Sequence, residues 1–434
     1  MARQIIPILA LLIGMVFLML GSGLHGLLIP IRGGLENMTA FDLGWIGTGY
    51  AIGFTLGCVL VPRLVRRVGH VRTFSTMTAI MSVSMLLNGM YVDVILWTAL
   101  RAINGFCIAG CYMVAESWLN ERVTNEYRGS MFSIYAITTM VAMMAGQYVL
   151  VLGDAGEEFL FMLGAILYAL AVVPTATSKA QSPAPLNNVS IDLPALFRNS
   201  PASFIGAILS GVISSAWTNF GPVFGQQSAM SSAEIATLLA AAMMGSILFQ
   251  YPLGKLSDMI DRRYVMAIAG LIGIATGTLM TSLSRDGSHD FLFFAATLAY
   301  GGVIYSIYSL VVAHANDHAE TGEFVKVSSG LLILYGFGTM VGPLITASMM
   351  DTFGPSGVFA TTTAAHLAFA SWAIYRTFRR EQVAEEERVD FQGMSAARAQ
   401  TPETYVLDPR SDETYGQEDE PEAPPMPAPV KVEL

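Results

Sequence analysis

One cationic side chain stands deep inside an otherwise uncharged stretch of the chain. Arg101 lies in the apolar run 94–117, and no other Lys or Arg lies so far from the ends of such a run. A charge at the centre of a membrane helix costs roughly 3 kcal/mol on insertion scales, so Arg101 is expected to face a wet cavity or a partner. Because a guanidinium binds carboxylate, sulfonate or phosphate bidentately, Arg101 predicts an anionic ligand. A structural role, with bonds to carbonyls of neighbouring helices, is the alternative.

A second titratable group, His25, lies toward the far end of the first apolar run. Histidine can change charge near neutral pH, so His25 could carry a coupling proton, although plain hydrogen bonding is the alternative. No Asp or Glu lies in the middle of any apolar run, which weakens proton coupling through a carboxylate and recognition of a cationic drug.

Several amides and phenols within the apolar runs could line a ligand pathway or could join helices. We predict the following pathway residues besides His25 and Arg101: Asn104, Asn219, Gln250, Tyr305, Tyr308 and Tyr335. Tyr305 and Tyr308 are three residues apart, so a helix would place them on one face. A face of tyrosines suits a polar organic ligand.

Motifs for enzymatic chemistry are absent from the sequence. It has no phosphate-binding loop of the Gly-x-x-x-x-Gly-Lys-Ser/Thr kind, so ATP is not expected to drive the protein. Cys107 and Cys111 share a helix face without further metal ligands nearby, and we interpret them as packing residues. We therefore predict neither an enzyme nor a bound cofactor or metal.

The elements that must position these residues are twelve apolar stretches of roughly 20 residues, the length that a helix needs to cross a bilayer. Only 13% of the 434 residues are charged, and the mean hydropathy is +0.53. The predicted fold is an all-α membrane protein with helices at about 5–28, 42–62, 72–92, 94–117, 129–152, 158–178, 201–225, 233–256, 263–284, 290–313, 327–350 and 356–378.

Composition divides the chain into two helical halves and a tail. We predict a six-helix bundle over 1–178, a polar, Pro-rich cytoplasmic linker over 179–200, a second six-helix bundle over 201–380 and a tail over 381–434. The tail holds 14 acidic and 4 basic residues, which accounts for the whole formal charge of −10. It is expected to be disordered. A docking or regulatory role is possible for it, but a solvated extension that transport does not need is favoured.

Basic residues in the loops predict the orientation. Sixteen Lys or Arg lie on the side of the N-terminus, and only Arg32 and Arg285 lie on the other side. The positive-inside rule then places both termini in the cytoplasm.

The two halves carry a similar segment. IYAITTMVAMMA begins at Ile134, and LYGFGTMVGPLI begins at Leu334, 200 residues later, with four identities. Paired halves of this kind are typical of secondary transporters, whose substrate site lies between the halves.

Loop motifs add a resemblance to a known family. GKLSDMIDRR, with Gly254 and Asp258, and PRLVRRVGHVR, with Arg67 and Gly69, resemble the two loop motifs of the major facilitator superfamily (MFS). In the first copy, Pro62 and Arg66 replace the usual Gly and Asp. The run AESWLNERVTNEYRG, which holds Glu116 and Arg128, is similar to the YcaD-like subgroup of bacterial inner-membrane carriers.

The resemblance implies the MFS fold, in which two bundles are related by a pseudo-twofold axis, and a set of gating residues: Arg67, Gly69, Glu116, Arg128, Gly254 and Asp258. It places Asp258 opposite the start of the fifth helix, near Arg128. Glu116 is expected to pair with a cytoplasmic arginine such as Arg67, Arg122 or Arg128.

The predicted function is secondary active transport of a small polar or anionic organic solute across the bacterial inner membrane by alternating access. A proton is the expected coupling ion, as in a symporter, and import is favoured over export. The expected partners are the lipid bilayer, the solute and protons, with no nucleic acid and no obligate protein partner. A multidrug or metabolite exporter and a transporter-like sensor that signals through its tail are the alternatives.

Overall fold

The computed structural model describes residues 2–122, 128–177, 192–285, 290–319, 323–379, 388, 391–394, 396–397, 400–408 and 411. Within these ranges the chain is helical and contains no strand. The first half forms α1 (Ala2–Leu35), α2 (Ala40–Val68), α3 (His70–Met90), α4 (Val94–Arg122), α5 (Arg128–Tyr148) and α6 (Phe159–Thr177). The rest forms α7 (Leu193–Asn199), α8 (Pro201–Gln227), α9 (Ser232–Met259), α10 (Arg262–Arg285), α11 (Phe291–Asn316), α12 (Phe324–Phe353), α13 (Gly357–Thr377) and α14 (Pro402–Leu407).

Ten stretches of the described chain are long and apolar enough to cross a membrane, and the last of them, Phe324–Thr377, contains both α12 and α13. The helix α3, which is rich in Ser and Thr and begins with His70 and Arg72, is not among the ten. The chain is therefore a multi-pass, all-α membrane protein. That it crosses the membrane twelve times stays a prediction.

The second helix of each half begins in the same way. Thr39 and Asp42 at the start of α2 form a capping box, in which each residue's side chain accepts a hydrogen bond from the other's backbone N–H. Ser231 and Glu234 repeat this arrangement at the start of α9. A capping box satisfies backbone donors that the first helical turn leaves unpaired. The recurrence is a local sign of the predicted duplication.

Helix pairing also repeats between the halves. The helix α1 packs on α5 as α8 packs on α12, α2 on α4 as α9 on α11, and α3 on α6 as α10 on α13. Contacts of α2 with α12, α1 with α8 and α5 with α9 then join the two halves. This is the arrangement that two copies of a six-helix unit predict, although the boundaries of the units are not tested by it.

The molecule has two ends, which we name by charge. The basic end holds the last turns of α2, α4, α9 and α11 and the first turns of α3, α5, α10 and α12; the opposite end holds the other termini of these helices. At the opposite end the halves touch, since Gln226 Nε2 donates to Ile31 O at 2.9 Å and the hydroxyls of Tyr148 and Thr237 lie 3.2 Å apart. The halves are therefore closed against each other at that end.

Two predictions about the segments outside the bundles need correction. Residues 179–191 of the predicted linker lie outside the described residues, but Leu193–Asn199 forms α7, whose Leu196 is buried against α12 at Gly330. The prediction of a disordered tail is wrong for the described residues between 388 and 411, which pack into the basic end. Residues 412–434 lie outside the described part of the chain.

Candidate transport cavity

A cavity of about 500 Å³ lies between the two halves. Both halves contribute polar side chains to its wall, which holds Tyr50, Arg101, Asn104, Gln147, Ser214, Thr218, Asn219, Tyr305 and Tyr335. Apolar residues such as Ile46, Phe54, Leu239 and Met243 complete the wall. A concave, largely apolar site with a few convergent polar groups is the usual form of a small-molecule binding site.

Arg101 is the buried cation of the described cavity wall. Its guanidinium carbon lies 4.5 Å from the centroid of the Tyr50 ring, within cation–π range. The side chain is 9% exposed, and among the described residues its Nε has no hydrogen-bond partner. A buried guanidinium with a donor to spare can bind an anionic group of a ligand.

The position of Arg101 depends on close contact between α2 and α4. A Cβ added to Gly105 would lie 2.1 Å from Tyr50 O, and one added to Gly53 would lie 1.8 Å from Ala102 O. These distances leave no room for a side chain, so glycine permits the two backbones to touch and sets Tyr50 under Arg101. Small residues serve this purpose at helix–helix contacts in membranes.

We expect Gly105→Ala to lower the melting temperature of the purified protein, because the methyl group meets backbone and the helices must separate. Overpacking lowers the stability of the folded protein by about 1–3 kcal/mol, whereas the better helix propensity of alanine raises it by at most about 1 kcal/mol. Gly26→Ala is the matched control, since a Cβ there meets nothing within 4 Å. Intrinsic tryptophan fluorescence on heating measures both variants. Equal melting temperatures would show that the α2–α4 contact is not tight.

His25 is buried behind the cavity wall rather than in it. Its Nδ1 lies 3.2 Å from Tyr168 Oη and 3.4 Å from Asn104 Nδ2, and its Nε2 lies 3.1 Å from Asn88 Nδ2. Both ring nitrogens thus have polar neighbours within the first half. Of these three neighbours, Asn104 is the one that also lines the cavity, and it connects His25 to the wall.

The other predicted pathway residues fall into two groups. Asn219, Tyr305 and Tyr335 line the cavity, and the hydroxyls of Tyr335 and Ser214 lie 2.7 Å apart. Tyr308 and Gln250 contact the tail instead. Tyr308 exchanges a hydrogen bond of 2.5 Å with the hydroxyl of Tyr405, and Gln250 packs against Gly393.

Of the first loop motif, Pro62 and Arg63 line the cavity, whereas the predicted gating residues Arg67 and Gly69 do not. Gly69 joins α2 to α3 with φ +85°, a left-handed backbone conformation that favours glycine. Arg67 is exposed beside it.

The second loop motif lies under the tail. Asp258 is paired with Arg262 at 3.2 Å and accepts a hydrogen bond from Phe391 N at 3.1 Å, while the Phe391 ring covers Gly254. The described contacts of Asp258 are therefore with α10 and the tail. The side chain of Arg128 lies outside the described residues, so the expected pairing with α5 is not tested.

The described contacts of Glu116 are with the tail, and its expected pairing with Arg122 or Arg128, whose side chains lie outside the described residues, is not tested. Glu116 is fully buried, and its Oε2 accepts hydrogen bonds from the hydroxyls of Thr401 and Thr404, at 2.8 Å from the latter. The expectation considered only cytoplasmic arginines as neighbours because it treated the tail as solvated.

Several wall residues were not predicted from the sequence. Tyr50, which lies in the Gly-rich segment GTGYAIG, was not among the predicted pathway residues. The tail contributes Ala396, Gln400 and Glu403 to the cavity wall. The sequence does indicate the start of the short tail helix α14, because Thr401 followed by Pro402 has the form of an N-cap with proline in the first turn.

Comparison with known proteins agrees with this architecture. The family model of the Major Facilitator Superfamily matches residues 11–231 and 203–402. The chain is 24% identical over 357 residues to the uncharacterized MFS-type transporter YcaD of Escherichia coli and of Shigella sonnei, covering 81% of this chain and 91% of each relative.

Solved structures share the fold. A mutant form of the nucleoside transporter NupG matches with a TM-score of 0.74 and 14% identity, covering 85% of this chain and 99% of that one. A bacterial homolog of the human lysosomal transporter Spinster, in an inward-facing and occupied conformation, matches with a TM-score of 0.68 and 15% identity, covering 88% and 97%.

An all-helical, multi-pass chain with a cavity between two similar halves is a secondary transporter rather than an enzyme. The chain belongs to the Major Facilitator Superfamily, and within it the chain is YcaD-like.

Proposed function

We propose that this protein transports a small anionic organic solute across the bacterial inner membrane by alternating access. The observation that carries the proposal is Arg101, a buried guanidinium at the wall of a cavity between the halves, with an Nε that lacks a partner among the described residues. A carboxylate, sulfonate or phosphate group would fit its planar donor set. Neutral polar groups from both halves, such as Asn104 and Asn219, would hold the rest of the solute.

The proposed cycle follows from where the halves touch. The contacts that close the opposite end include Thr48 Oγ1 donating to Met340 O at 2.8 Å between α2 and α12. In the proposed cycle these contacts separate while the basic end closes, so that the cavity opens to one side at a time. A proton is the proposed coupling ion, and the network of His25, Asn104 and Tyr168 is where we place its binding.

Ligand binding can be tested before the solute is identified. The purified protein is heated in the presence of carboxylates, sulfonates, phosphate esters and, because of the solved relative, nucleosides. We expect anionic compounds to raise the melting temperature, since a ligand that binds only the folded state stabilises it. Stabilisation by uncharged nucleosides alone would contradict the role given to Arg101.

A transporter-like sensor is the second candidate, because the tail contacts the cavity wall directly. A sensor would bind the same solutes without moving them. Uptake into proteoliposomes distinguishes the two.

The proposed orientation puts the basic end in the cytoplasm. Reporter domains fused after Arg380 and inserted within residues 179–191 are expected to read cytoplasmic, and one inserted at Gly156 is expected to read periplasmic. The reason is the bias of basic loop residues toward one side. Alkaline phosphatase and green fluorescent protein fusions provide the measurement. A periplasmic signal after Arg380 would overturn the proposed orientation.

A further inference from the structure

The tail lies between the two halves at the basic end. Thr401 and Thr404 donate hydrogen bonds to Glu116 of α4, in the first half. Tyr405 reaches Tyr308 of α11, in the second half, and its ring lies 6.3 Å from that of Phe324 at the start of α12. The short helix α14 thus bridges the two halves at the basic end.

Three hydrogen bonds, from the Arg388 guanidinium and from the backbone N–H groups of Met394 and Ala396, hold the segment that leads to α14. Arg388 donates to Ile260 O at 3.0 Å, Met394 N donates to Ser309 Oγ at 2.9 Å, and Ala396 N donates to Tyr305 O at 3.0 Å. Each of these acceptors belongs to the second half. The segment therefore follows α11 inward from the loop after α9 toward the cavity.

Several side chains of the tail are buried where the tail contacts the two halves. Thr401, Thr404 and Tyr405 are fully buried, and Met394 is 1% exposed. A polar segment is stable in such a place only when its donors and acceptors have partners, and here Glu116, Ser309 and Tyr308 supply them.

We propose that the described part of the tail, residues 388, 391–394, 396–397 and 400–408, forms a plug that binds in the basic-end mouth of the cavity and blocks both solute passage and closure of that end until the plug leaves. Ala396, Gln400 and Glu403 of the plug form part of the cavity wall, so a solute that moves between the cavity and the basic end must pass them. Closure of the basic end would bring α4 and α11 into the space that α14 occupies. The blocking of transport rests on the proposed function, whereas the docking of the plug does not.

A native thiol reports whether the plug blocks access. Cys58 lines the cavity, whereas Cys107 and Cys111 are 1% and 0% exposed. A membrane-impermeant thiosulfonate reagent applied from the basic end should therefore label Cys58 alone, and Cys58→Ala should abolish the signal. We expect truncation after Arg380 to raise the labelling rate at least tenfold. An unchanged rate in a folded truncated protein would overturn the plug.

A full-length variant covers the case in which truncation prevents folding. The double variant Thr401→Val with Thr404→Val removes both hydroxyl donors to Glu116 and leaves the size of the two side chains nearly unchanged. We expect several-fold faster labelling of Cys58. Thr352→Val is the control, because Thr352 lies exposed at the opposite end and bonds only within α12 among the contacts described.

A reversible crosslink tests docking itself. A Cβ at position 393 would lie 3.1 Å from Gln250 Cγ, which is where the sulfur of a cysteine at 250 would stand. Gln250→Cys with Gly393→Cys should therefore form a disulfide under mild oxidation, whereas either single variant should not. Failure of this pair to crosslink would overturn the docked position.

The crosslinked protein separates the plug from the proposed function. In the oxidised double variant Gln250→Cys with Gly393→Cys, the reagent should label Cys58 no faster than in the unmodified protein. A solute found by the melting screen should not be taken up by this variant until dithiothreitol reduces the disulfide and releases the tail. Uptake that is equal before and after reduction would overturn the plug. Protected Cys58 and an efficient crosslink, with no solute that binds, would uphold the plug and contradict the proposed function.

Discussion

Replacing Arg101 with alanine is expected to weaken binding of the anionic solute at least tenfold while the protein still folds. Removing one partner of a buried, hydrogen-bonded charge pair typically costs about 2–5 kcal/mol, which corresponds to a factor of roughly 30 or more. Arg101→Lys should also impair binding, because a point charge replaces a planar fork and loses its stacking on Tyr50. The measurement is the dissociation constant from isothermal titration of the purified variants.

The control for this experiment is Arg63→Ala. Arg63 also lines the cavity, but it is exposed near the basic end. Its replacement should change affinity by much less, since an exposed charge is screened by water and salt. If the Arg101→Ala variant binds the solute as tightly as the unmodified protein does, Arg101 is not part of the binding site and has only a structural role beside Tyr50.

Raising the pH is expected to release the plug. Burial, together with the neighbouring carboxylate of Glu116, raises the pKa of Glu403 from 4.5 to about 8 in the docked tail. Between these two values docking takes up a proton, so docking is strongest at low pH and weakens as the pH rises toward 8. For each pH unit, docking loses at most about 1.4 kcal/mol of free energy, so the docking equilibrium constant falls by at most a factor of about ten.

Other charged groups near α14 do not reverse this direction. The helices that contact α14 include α4, which presents Glu116, α11, which presents the phenol of Tyr308, and α12, which begins with the ion pair of Glu323 and Lys326. On the cavity side Arg63 is exposed to solvent. Besides burial, the charge that acts on the pKa of Glu403 is thus that of another carboxylate, Glu116, which disfavours ionisation.

The matched variant for the pH experiment is Glu403→Gln, which keeps the shape of the protonated acid. The labelling rate of Cys58 in the unmodified protein, divided by that in the Gln variant, should rise several-fold between about pH 6 and pH 8.5. The ratio cancels the ionisation of the thiol itself, which is common to both proteins. A ratio that stays constant across this range would show that Glu403 does not control docking.

Hydropathy made the helical body predictable from the sequence. The starts of α8 at Pro201 and α10 at Arg262 lie within one residue of prediction, because proline and loop charges mark helix ends clearly. Arg101 was predictable as a cavity residue because a charge in an apolar run needs a wet or paired setting. Its contact with Tyr50 was not, since that contact depends on how closely α2 approaches α4 at Gly105.

The tail was the least predictable part, for a physical reason. Acidic, Pro-rich composition argues against a self-sufficient core, and the described residues between 388 and 408 are buried against the two halves instead. Their order comes from partners far away in sequence, such as Glu116, Tyr308 and Ser309. A single-sequence pattern does not reveal contacts of that range. The same limit explains why the contacts of Glu116 with Thr401 and Thr404 were not predicted.

The most direct test of the central claim is counterflow uptake in proteoliposomes loaded with the solute that most raises the melting temperature. The protein truncated after Arg380 should accumulate the labelled solute to a saturable level, the full-length protein should do so more slowly, and the truncated protein carrying Arg101→Ala should match protein-free liposomes. A solute that binds through Arg101 yet shows no counterflow in the truncated protein would contradict transport and leave a ligand-binding sensor.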